Sequence, residues 1–533
     1  MLDGAGLVLA LTFVFSSMFI PHLDTVRDRQ GMDDGDPAVY NLAEATWQRF
    51  VTGEREGYPY TIHADENVHW GYTAAVQRTD GAFVDWVSGG EGDQEGLFSL
   101  RGAVHERGFH VLLAQTQELT GVSWYNLFQF GPALWFTFTA FGVWAMLRPH
   151  PAAVPAAALV GLVPTSPRFL GPAILVPIGF SLAWLPATQI LSRPARKSFG
   201  ASMLALAVAV WAFFVHLIGG FAAVGLLLIS GMLGTAGQRR RALGLLAIGL
   251  LPLAWLYRAF SAGVEAEFEK IGDLPIDFTI FDHFGTLTLG LWAAGCVIVS
   301  LLAHRTDEDD AIPTWAGASI GALGLIVASV TLFEERPYAT YDRWHPVFFF
   351  TAAVPAGFAI ATAGRLAHRT VQEMLPDGQA MRRVAPAIGI AAAVLLSGAA
   401  ASKGLAYHID QPYYHVIEDG DWERYTWIRD NVDEDHAVFL THPWKAPVLG
   451  AMTDMTPHAY LQPGSPPVRG EDYRDYARTG GSLPLFVTND ITLVATSGKP
   501  PFEVFETKRP GVHAMDENVT EQIAEIRAME RGG

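Results

Sequence analysis

The sequence predicts a polytopic α-helical membrane protein with about eleven transmembrane helices, a large first external loop and a small C-terminal α/β domain. Three observations predict this fold class. Half of the 533 residues are hydrophobic, only 17% are charged, and the mean hydropathy is positive at +0.22. These values are typical of a membrane protein that also carries substantial polar segments, and they do not fit a soluble protein of this size.

Apolar runs long enough to cross about 30 Å of hydrocarbon recur through the first 403 residues. The run at 198–238 is long enough for two helices, with the turn at His216-Leu-Ile-Gly-Gly220. The runs at 149–167 and 169–192 are interrupted by prolines, so we expect this pair to be bent or partly re-entrant. The predicted spans lie in the charge-free runs 4–23, 119–147, 149–167, 169–192, 198–238, 242–257, 283–304, 311–333, 344–364 and 385–402.

The connections between these runs predict the orientation in the membrane. With a cytoplasmic N-terminus, the cytoplasmic connections carry twelve basic residues and the short external ones carry five, which is the usual positive-inside bias. Eleven spans then place the loop at 24–118 and the region 404–533 outside the cell membrane. The sequence therefore predicts a transmembrane domain at 1–403, including that loop, and an extracytoplasmic domain at 404–533. The first span has no basic start and no cleavage site, so we expect it to be retained.

The two external regions have predicted secondary structure of their own. In the first external loop we expect helices at 38–51 and 68–77. In the C-terminal region we expect buried strands at 437–440 and 485–487, because short apolar segments there are bounded by polar and turn-forming residues. This mixture predicts a small α/β domain that caps the membrane.

The charge balance excludes one class of partner and indicates a habitat. The chain has 54 acidic and 36 basic residues, and only six of the basic ones are lysine. Acid-rich, lysine-poor polar segments keep a protein hydrated and soluble in concentrated salt, so the composition predicts a halophilic archaeal source. The alternative is a GC-rich genome, which favours arginine over lysine. Nucleic acid is excluded as a partner because no basic face is available to phosphates.

The single Cys296 excludes a disulfide framework and a cysteine metal site.

Two acidic clusters in the first external loop are candidate catalytic sites. Asp33, Asp34 and Asp36 follow the first span by about ten residues, and Asp34 and Asp36 flank a glycine. Their carboxylate oxygens could share a hard divalent cation, Mg²⁺ or Mn²⁺. The second cluster is Asp65-Glu66, just before a predicted helix. The alternative for both clusters is an ordinary polar loop in which aspartate caps a helix.

Sugar transfer from a lipid phosphate needs a carboxylate that acts as base or orients the acceptor, and positive charge that neutralises the departing phosphate. Arg343 is suited to phosphate at headgroup depth, although an interfacial anchor is the alternative. His216 could contact a diphosphate or simply end a helix. The candidate substrate-binding residues are Arg343, His345, His69, Arg168, His216 and Trp444.

Several of these segments resemble the GT-C fold glycosyltransferases, a superfamily that includes the protein mannosyltransferases and the catalytic subunits of oligosaccharyltransferase. Asp36-Pro-Ala-Val-Tyr40 is similar to the acidic stretch after the first span of the oligosaccharyltransferase branch. Asp65-Glu-Asn-Val-His69 is similar to an acid and histidine variant in other branches, and Arg343-Trp-His-Pro346 resembles the late arginine that faces the lipid phosphate.

The resemblance implies an inverting membrane glycosyltransferase that takes a sugar from a polyprenyl-phosphate donor on the external face. The acceptor would be a lipid-linked glycan or a protein. The Trp-Trp-Asp motif with which oligosaccharyltransferases hold their acceptor is absent, and Pro443-Trp444-Lys445 is all the C-terminal region offers, which favours transfer of a single sugar. Two alternatives stay open: transfer of a whole glycan, as in oligosaccharyltransferase, and a scaffold or assembly partner of GT-C architecture without catalysis.

Overall fold

The computed structural model divides the chain into two compact units. Unit 1 comprises Met1–Arg55, Leu127–Ala259 and Asp273–Tyr413, and unit 2 comprises Glu56–Asn126, Phe260–Gly272 and Tyr414–Gly533. The structure describes residues 2–22, 64–78, 106–122, 124–165, 170–195, 198–233, 281, 284–302, 311–332, 341–374, 379–410, 425–426, 429, 438–440, 446–452, 456–457, 493–495 and 504–506.

Unit 1 is built from apolar helices. In the described part of the chain, its helices are α1 (Leu2–Phe19), α4 (Trp124–Leu147, whose first turn belongs to unit 2), α5 (Ala153–Leu159), α6 (Pro177–Leu182), α7 (Trp184–Ala195), α8 (Phe199–Val215), α9 (Leu217–Met232), α10 (Thr286–Leu302), α11 (Ala311–Leu332), α12 (Tyr341–Met374) and α13 (Gln379–Asp410). Their buried faces form one continuous apolar core, and a second cluster surrounds Phe213.

Five helical segments are long and apolar enough to cross a membrane: Gly4–His22, Asn126–Leu147, Ala311–Ala328, Trp344–Met374 and Val384–Ser402. Four apolar helices of the described residues are shorter. The predicted multi-pass helical protein is thus confirmed, whereas the count of eleven stays a prediction, because the run at 242–257 lies outside the described residues.

The predicted break inside the run at 198–238 is confirmed, because α8 ends at Val215 and α9 begins at Leu217. His216 between them adopts an extended backbone conformation. Its Nδ1 accepts a hydrogen bond from the backbone N–H of Ile218 at 3.2 Å, which caps the new helix. The imidazole therefore fills the alternative role that the sequence left open, that of a helix-end residue.

The two proline-interrupted runs at 149–167 and 169–192 do not form single helices. Helix α5 has seven residues, continues as a 3₁₀ turn to Leu162, and gives way to extended backbone. Because buried non-helical backbone must find hydrogen bonds within the protein, side chains supply them here. Thr165 Oγ1 accepts from the N–H of Ala173 at 3.0 Å, and His22 Nε2 donates to the Ala173 carbonyl at 2.6 Å.

Glycines set the spacing between the helices of the core. A Cβ on Gly295 of α10 would lie 1.9 Å from the carbonyl oxygen of Pro355 in α12. A Cβ on Gly364 would lie 2.8 Å from the carbonyl oxygen of Gly389, and one on Gly389 would lie 2.7 Å from that of Gly364. Backbones approach this closely only where no side chain intervenes, as is common between membrane helices.

Unit 2 contains helices α2 (Ala64–Arg78), α3 (Arg107–Thr120) and α14 (Ala446–Met452). It also holds a four-stranded sheet in the order β2-β1-β3-β4, formed by Val438–Leu440 (β1), Thr456–Pro457 (β2), Leu493–Ala495 (β3) and Val504–Glu506 (β4). β1 pairs in parallel with β2 and β3, and β4 is antiparallel to β3.

The sequence located two elements of unit 2 correctly. Strand β1 coincides with the strand predicted at 437–440, and α2 covers the helix predicted at 68–77 but starts four residues earlier. The predicted helix at 38–51 and strand at 485–487 lie outside the described residues. The assignment of 404–533 to a separate external domain stays a prediction.

Candidate functional site

Helices α2 and α3 lie side by side in unit 2 and bring together most of the ionisable residues that are buried in the described part of this unit. His69 of α2 contacts His110 of α3, and further along the pair the Gln77 side chain donates to that of Gln117. Since the contacts advance in the same direction on both helices, the helices run parallel. Helix α14 packs on α2 and contains no ionisable residue.

Two histidines form the centre of this site. The Nδ1 atom of His69 lies 3.1 Å from Nε2 of His110 and 3.8 Å from Oε2 of Glu106. The His69 residue is 8% exposed and His110 is 1% exposed. The ring of Phe109 meets that of His69 edge-on at 5.5 Å, so aromatic packing as well as hydrogen bonding holds the imidazole in place.

The predicted acids Asp65 and Glu66 lie in the first turn of α2. The N-terminal turn of a helix favours negative charge, because its backbone N–H groups and dipole point toward it. Glu66 is fully buried, whereas Asp65 is partly exposed. The structure thus places Asp65, Glu66 and His69 on one helix, with Glu66 and His69 three residues apart and therefore on the same side.

Arg107 adds a buried cation to the same helix pair. The residue is 7% exposed, and burial lowers its pKa from 12.5 to about 10, an effect that the nearby Tyr72 phenol partly opposes. The guanidinium therefore stays protonated at neutral pH. The ring of Tyr72 lies 5.3 Å from that of His110, so the charged and aromatic groups form one connected cluster.

The remaining predicted residues occupy other places. Arg343 lies in the first turn of α12. His345, two residues on, is fully buried, with its ring 5.3 Å from that of Phe281 and stacked on Phe349 at 6.0 Å. That environment is a packed aromatic core. The substrate-binding role of His345 stays a prediction, as does that of His216, which caps α9.

Five candidates lie outside the residues that the structure describes: Asp33, Asp34, Asp36, Arg168 and Trp444. The cation site predicted at Asp34 and Asp36 is among them. Within the described ranges, no group of three or more histidine, cysteine or acidic side chains is arranged to hold a metal ion.

Sequence reasoning missed Glu106, Arg107 and His110. A local signal was available, because Glu106 and His110 are four residues apart at the start of an amphipathic helix and so share one face. What the sequence could not show is that this face meets His69, which is 41 residues away along the chain.

No protein-family model matches the chain, and no curated protein sequence matches it significantly. Among solved structures, it is similar to the apo form of the Archaeoglobus fulgidus oligosaccharyltransferase, with a TM-score of 0.52 and 13% identity over 92% of this chain and 69% of that one.

Two further structures of oligosaccharyltransferase from the same organism also match. For AglB in complex with an inhibitory peptide and a dolichol-phosphate, the TM-score is 0.45 and the identity 12%, over 74% of this chain and 61% of that one. For the enzyme tethered to an acceptor peptide, the values are 0.44 and 13%, over 73% and 60%. This chain therefore spans about three fifths of the length of those two proteins. The likeness to the apo enzyme establishes architecture, and the chain has the GT-C fold that the sequence resemblance implied.

Proposed function

We propose that the protein is a membrane glycosyltransferase that moves a sugar from a polyprenyl-phosphate donor to a lipid-linked glycan or a protein on the external face of the membrane. The observation that carries this proposal is the cluster of ionisable side chains on α2 and α3. It combines a buried acid, Glu66, with two histidines in contact and a buried arginine. Such clusters are costly to bury and are typical of sites that move protons or bind charged ligands.

Each group has a role in this proposal. A carboxylate, from Asp36 and Asp34 or from Asp65 and Glu66, orients or deprotonates the acceptor. Arg343 contacts the donor phosphate. His345, His69, Arg168 and His216 are further substrate contacts, and Trp444 contacts acceptor or donor. Asp34 and Asp36 hold Mg²⁺ or Mn²⁺, whose charge would stabilise the phosphate as it departs. The GT-C fold supports these roles by analogy of architecture.

The test replaces acids one at a time in cells that lack the chromosomal copy of the gene. We expect Asp36→Asn, Asp65→Asn or Glu66→Gln to remove one sugar from the glycans of surface glycoproteins, as measured by mass spectrometry. An essential catalytic carboxylate should cost at least about 100-fold in rate. Chelation of divalent cations, followed by addition of Mg²⁺ or Mn²⁺, tests the cation in membrane preparations.

Glu118→Gln is the matched control, because Glu118 is an exposed acid on α3. Loss of one sugar supports single-sugar transfer, whereas loss of the whole glycan supports transfer en bloc. If all three acid variants and the gene deletion leave every glycan mass unchanged, the protein is no transferase and the scaffold alternative stands.

A further inference from the structure

The contact between the two histidines restricts where their protons lie. A hydrogen bond between two imidazole nitrogens holds one proton, so either His69 Nδ1 or His110 Nε2 is the donor. A carboxylate oxygen of Glu106 lies 3.8 Å from the same Nδ1 of His69. An ionised carboxylate only accepts hydrogen bonds, and it repels a nitrogen lone pair. The proton is therefore favoured on His69 Nδ1, between two acceptors.

Arg107 favours the same arrangement from the side of His110. Arg107 and His110 are three residues apart on α3, which places them on one face of the helix. Because Arg107 is a buried cation, a second positive charge on the buried His110 is disfavoured. A neutral His110 can accept at Nε2 and carries its own proton on Nδ1.

A neutral imidazole with its proton on Nδ1 has its lone pair on Nε2. Such a histidine cannot donate through Nε2 to a phosphate oxygen, which itself only accepts. It can take a proton from a hydroxyl group. The proton arrangement thus narrows the substrate-binding role expected of His69 to that of a partner of the acceptor.

We infer that His69 is the general base of the transfer, with Glu106 and His110 as the positioning residues that hold its proton on Nδ1. The inference rests on the proposed function. In the step, Nε2 of His69 takes the proton of an acceptor hydroxyl, and the acceptor oxygen bonds to the anomeric carbon. The bond between that carbon and the phosphate oxygen breaks, and its electron pair leaves on the polyprenyl phosphate. The Glu106 carboxylate stabilises the resulting imidazolium.

The other charged and titratable groups on the packed elements are few. Helix α2 contributes Asp65, Glu66 and Tyr72 to this neighbourhood, α3 contributes Glu106 and Arg107, and α14 contributes none. Of these groups, Glu106 has a carboxylate oxygen 3.8 Å from Nδ1 of His69. It is therefore the group whose removal should change the proton affinity of His69 most directly.

The activity test uses the purified full-length protein, polyprenyl-phosphate lipids extracted from source cells, and glycoprotein from the deletion strain as acceptor. We expect His69→Gln to lower the transfer rate by roughly 100-fold or more, since an amide is no base. His110→Leu should cost about 10- to 100-fold. His110→Gln should recover most of that loss, because its side-chain oxygen can accept from His69 Nδ1.

Two readouts separate positioning from mere structural support. Glu106→Gln should move the acidic limb of the rate–pH profile to lower pH, because the imidazolium of His69 loses its carboxylate. In ¹⁵N-histidine-labelled protein, the imidazole resonances that the wild type shows and His69→Gln lacks belong to His69. In the wild type, these resonances should show a protonated Nδ1 and an unprotonated Nε2. His110→Leu should broaden or shift this pattern, and His110→Gln should restore it.

The outcomes distinguish this inference from the proposed function. Transfer that persists at the wild-type rate in His69→Gln, or a proton found on Nε2, overturns the inference and leaves the transferase standing. Equal losses in His110→Leu and His110→Gln, with an unmoved pH profile in Glu106→Gln, also overturn it. A wild-type protein that transfers no sugar overturns both.

Discussion

The two units of the molecule bury their polar groups in different ways. In unit 1 the partners are mostly backbone carbonyls: Ser17 donates to the carbonyl of Gly161 at 2.7 Å, and Thr351 donates to that of Val347 at 2.7 Å. In the described part of unit 2, the buried polar groups include the ionisable Glu66, His69, Arg107 and His110, and His69 contacts His110. Among the described residues, unit 1 thus pairs buried hydroxyl groups with single backbone carbonyls, whereas α2 and α3 of unit 2 bring two ionisable side chains into contact.

Two histidines illustrate what this difference teaches. His69 and His345 are both predicted to bind substrate, and both are buried. His345 packs among phenylalanine rings, where the imidazole contributes an aromatic surface to the core. His69 has a carboxylate and a second imidazole at its Nδ1. Burial alone therefore does not show whether a histidine can exchange a proton with its neighbours; the chemistry of those neighbours does.

The largest effect on stability is expected from Gly295→Ala in unit 1. The new methyl group would lie 1.9 Å from the Pro355 carbonyl oxygen, so α10 and α12 would have to move apart. Overpacking of this kind costs about 1–3 kcal/mol. We expect a lower thermal unfolding midpoint in detergent micelles, with the pH dependence unchanged.

Gly290→Ala is the matched control, since Gly290 lies on the same helix and a Cβ added there would have no neighbouring atom within 4 Å. Alanine is the better helix former, so the midpoint of this variant should be equal to or above that of the wild type. Equal midpoints for the two variants would contradict the close approach of α10 and α12.

A smaller loss is expected from Ser17→Ala. The Ser17 hydroxyl donates to the Gly161 carbonyl and lies 3.1 Å from Nδ1 of His408, so it joins three segments of unit 1. Its removal leaves a buried carbonyl short of a donor, at a cost of about 1–2 kcal/mol. The thermal midpoint measures this loss. Ser16→Ala, at the exposed neighbouring position, should have no effect, and an equal effect of both variants would refute the role of the hydrogen bond.

The smallest expected effect is a pH dependence of the free energy of unfolding in Arg107→Lys, a variant of unit 2. Burial lowers the pKa of Arg107 to about 10, and lysine has a lower ordinary pKa than arginine. In Arg107→Lys, the unfolded chain should hold more of the lysine proton than the folded chain between about pH 9 and pH 10. The free energy of unfolding should therefore rise with pH in that window, by on the order of 0.5–1 kcal/mol.

Unfolding midpoints measured across this window provide the comparison. The wild-type arginine, with a pKa of about 10 in the folded state, stays mostly protonated up to about pH 9, so its rise begins at higher pH and is smaller across the window. Arg365→Lys replaces an exposed arginine of unit 1 and should follow the wild type. A flat profile for Arg107→Lys would show that water reaches this position in the folded protein.

Local patterns in the sequence predicted much of the fold. The apolar runs located both ends of α10 and α11 to within a few residues. They also located α12 and α13, although these two helices extend well beyond their runs. The sequence placed His216 at a helix break, where the structure has it. The prolines of 149–192 correctly indicated interrupted helices. Such features are readable because chain length, hydropathy and helix-breaking residues act over a few neighbours.

By itself, the sequence determined that this is a multi-pass helical protein with acids just outside its apolar spans. It also placed His69 on a helix, with Asp65 and Glu66 directly before it; the structure begins this helix at Ala64, so all three residues share it. Only the tertiary structure decided that Glu106 and His110 lie beside His69 and that the ring of His345 packs against phenylalanine rings. The reason is physical: contacts between segments depend on how helices pack, and residues 41 positions apart meet only when α2 and α3 lie side by side.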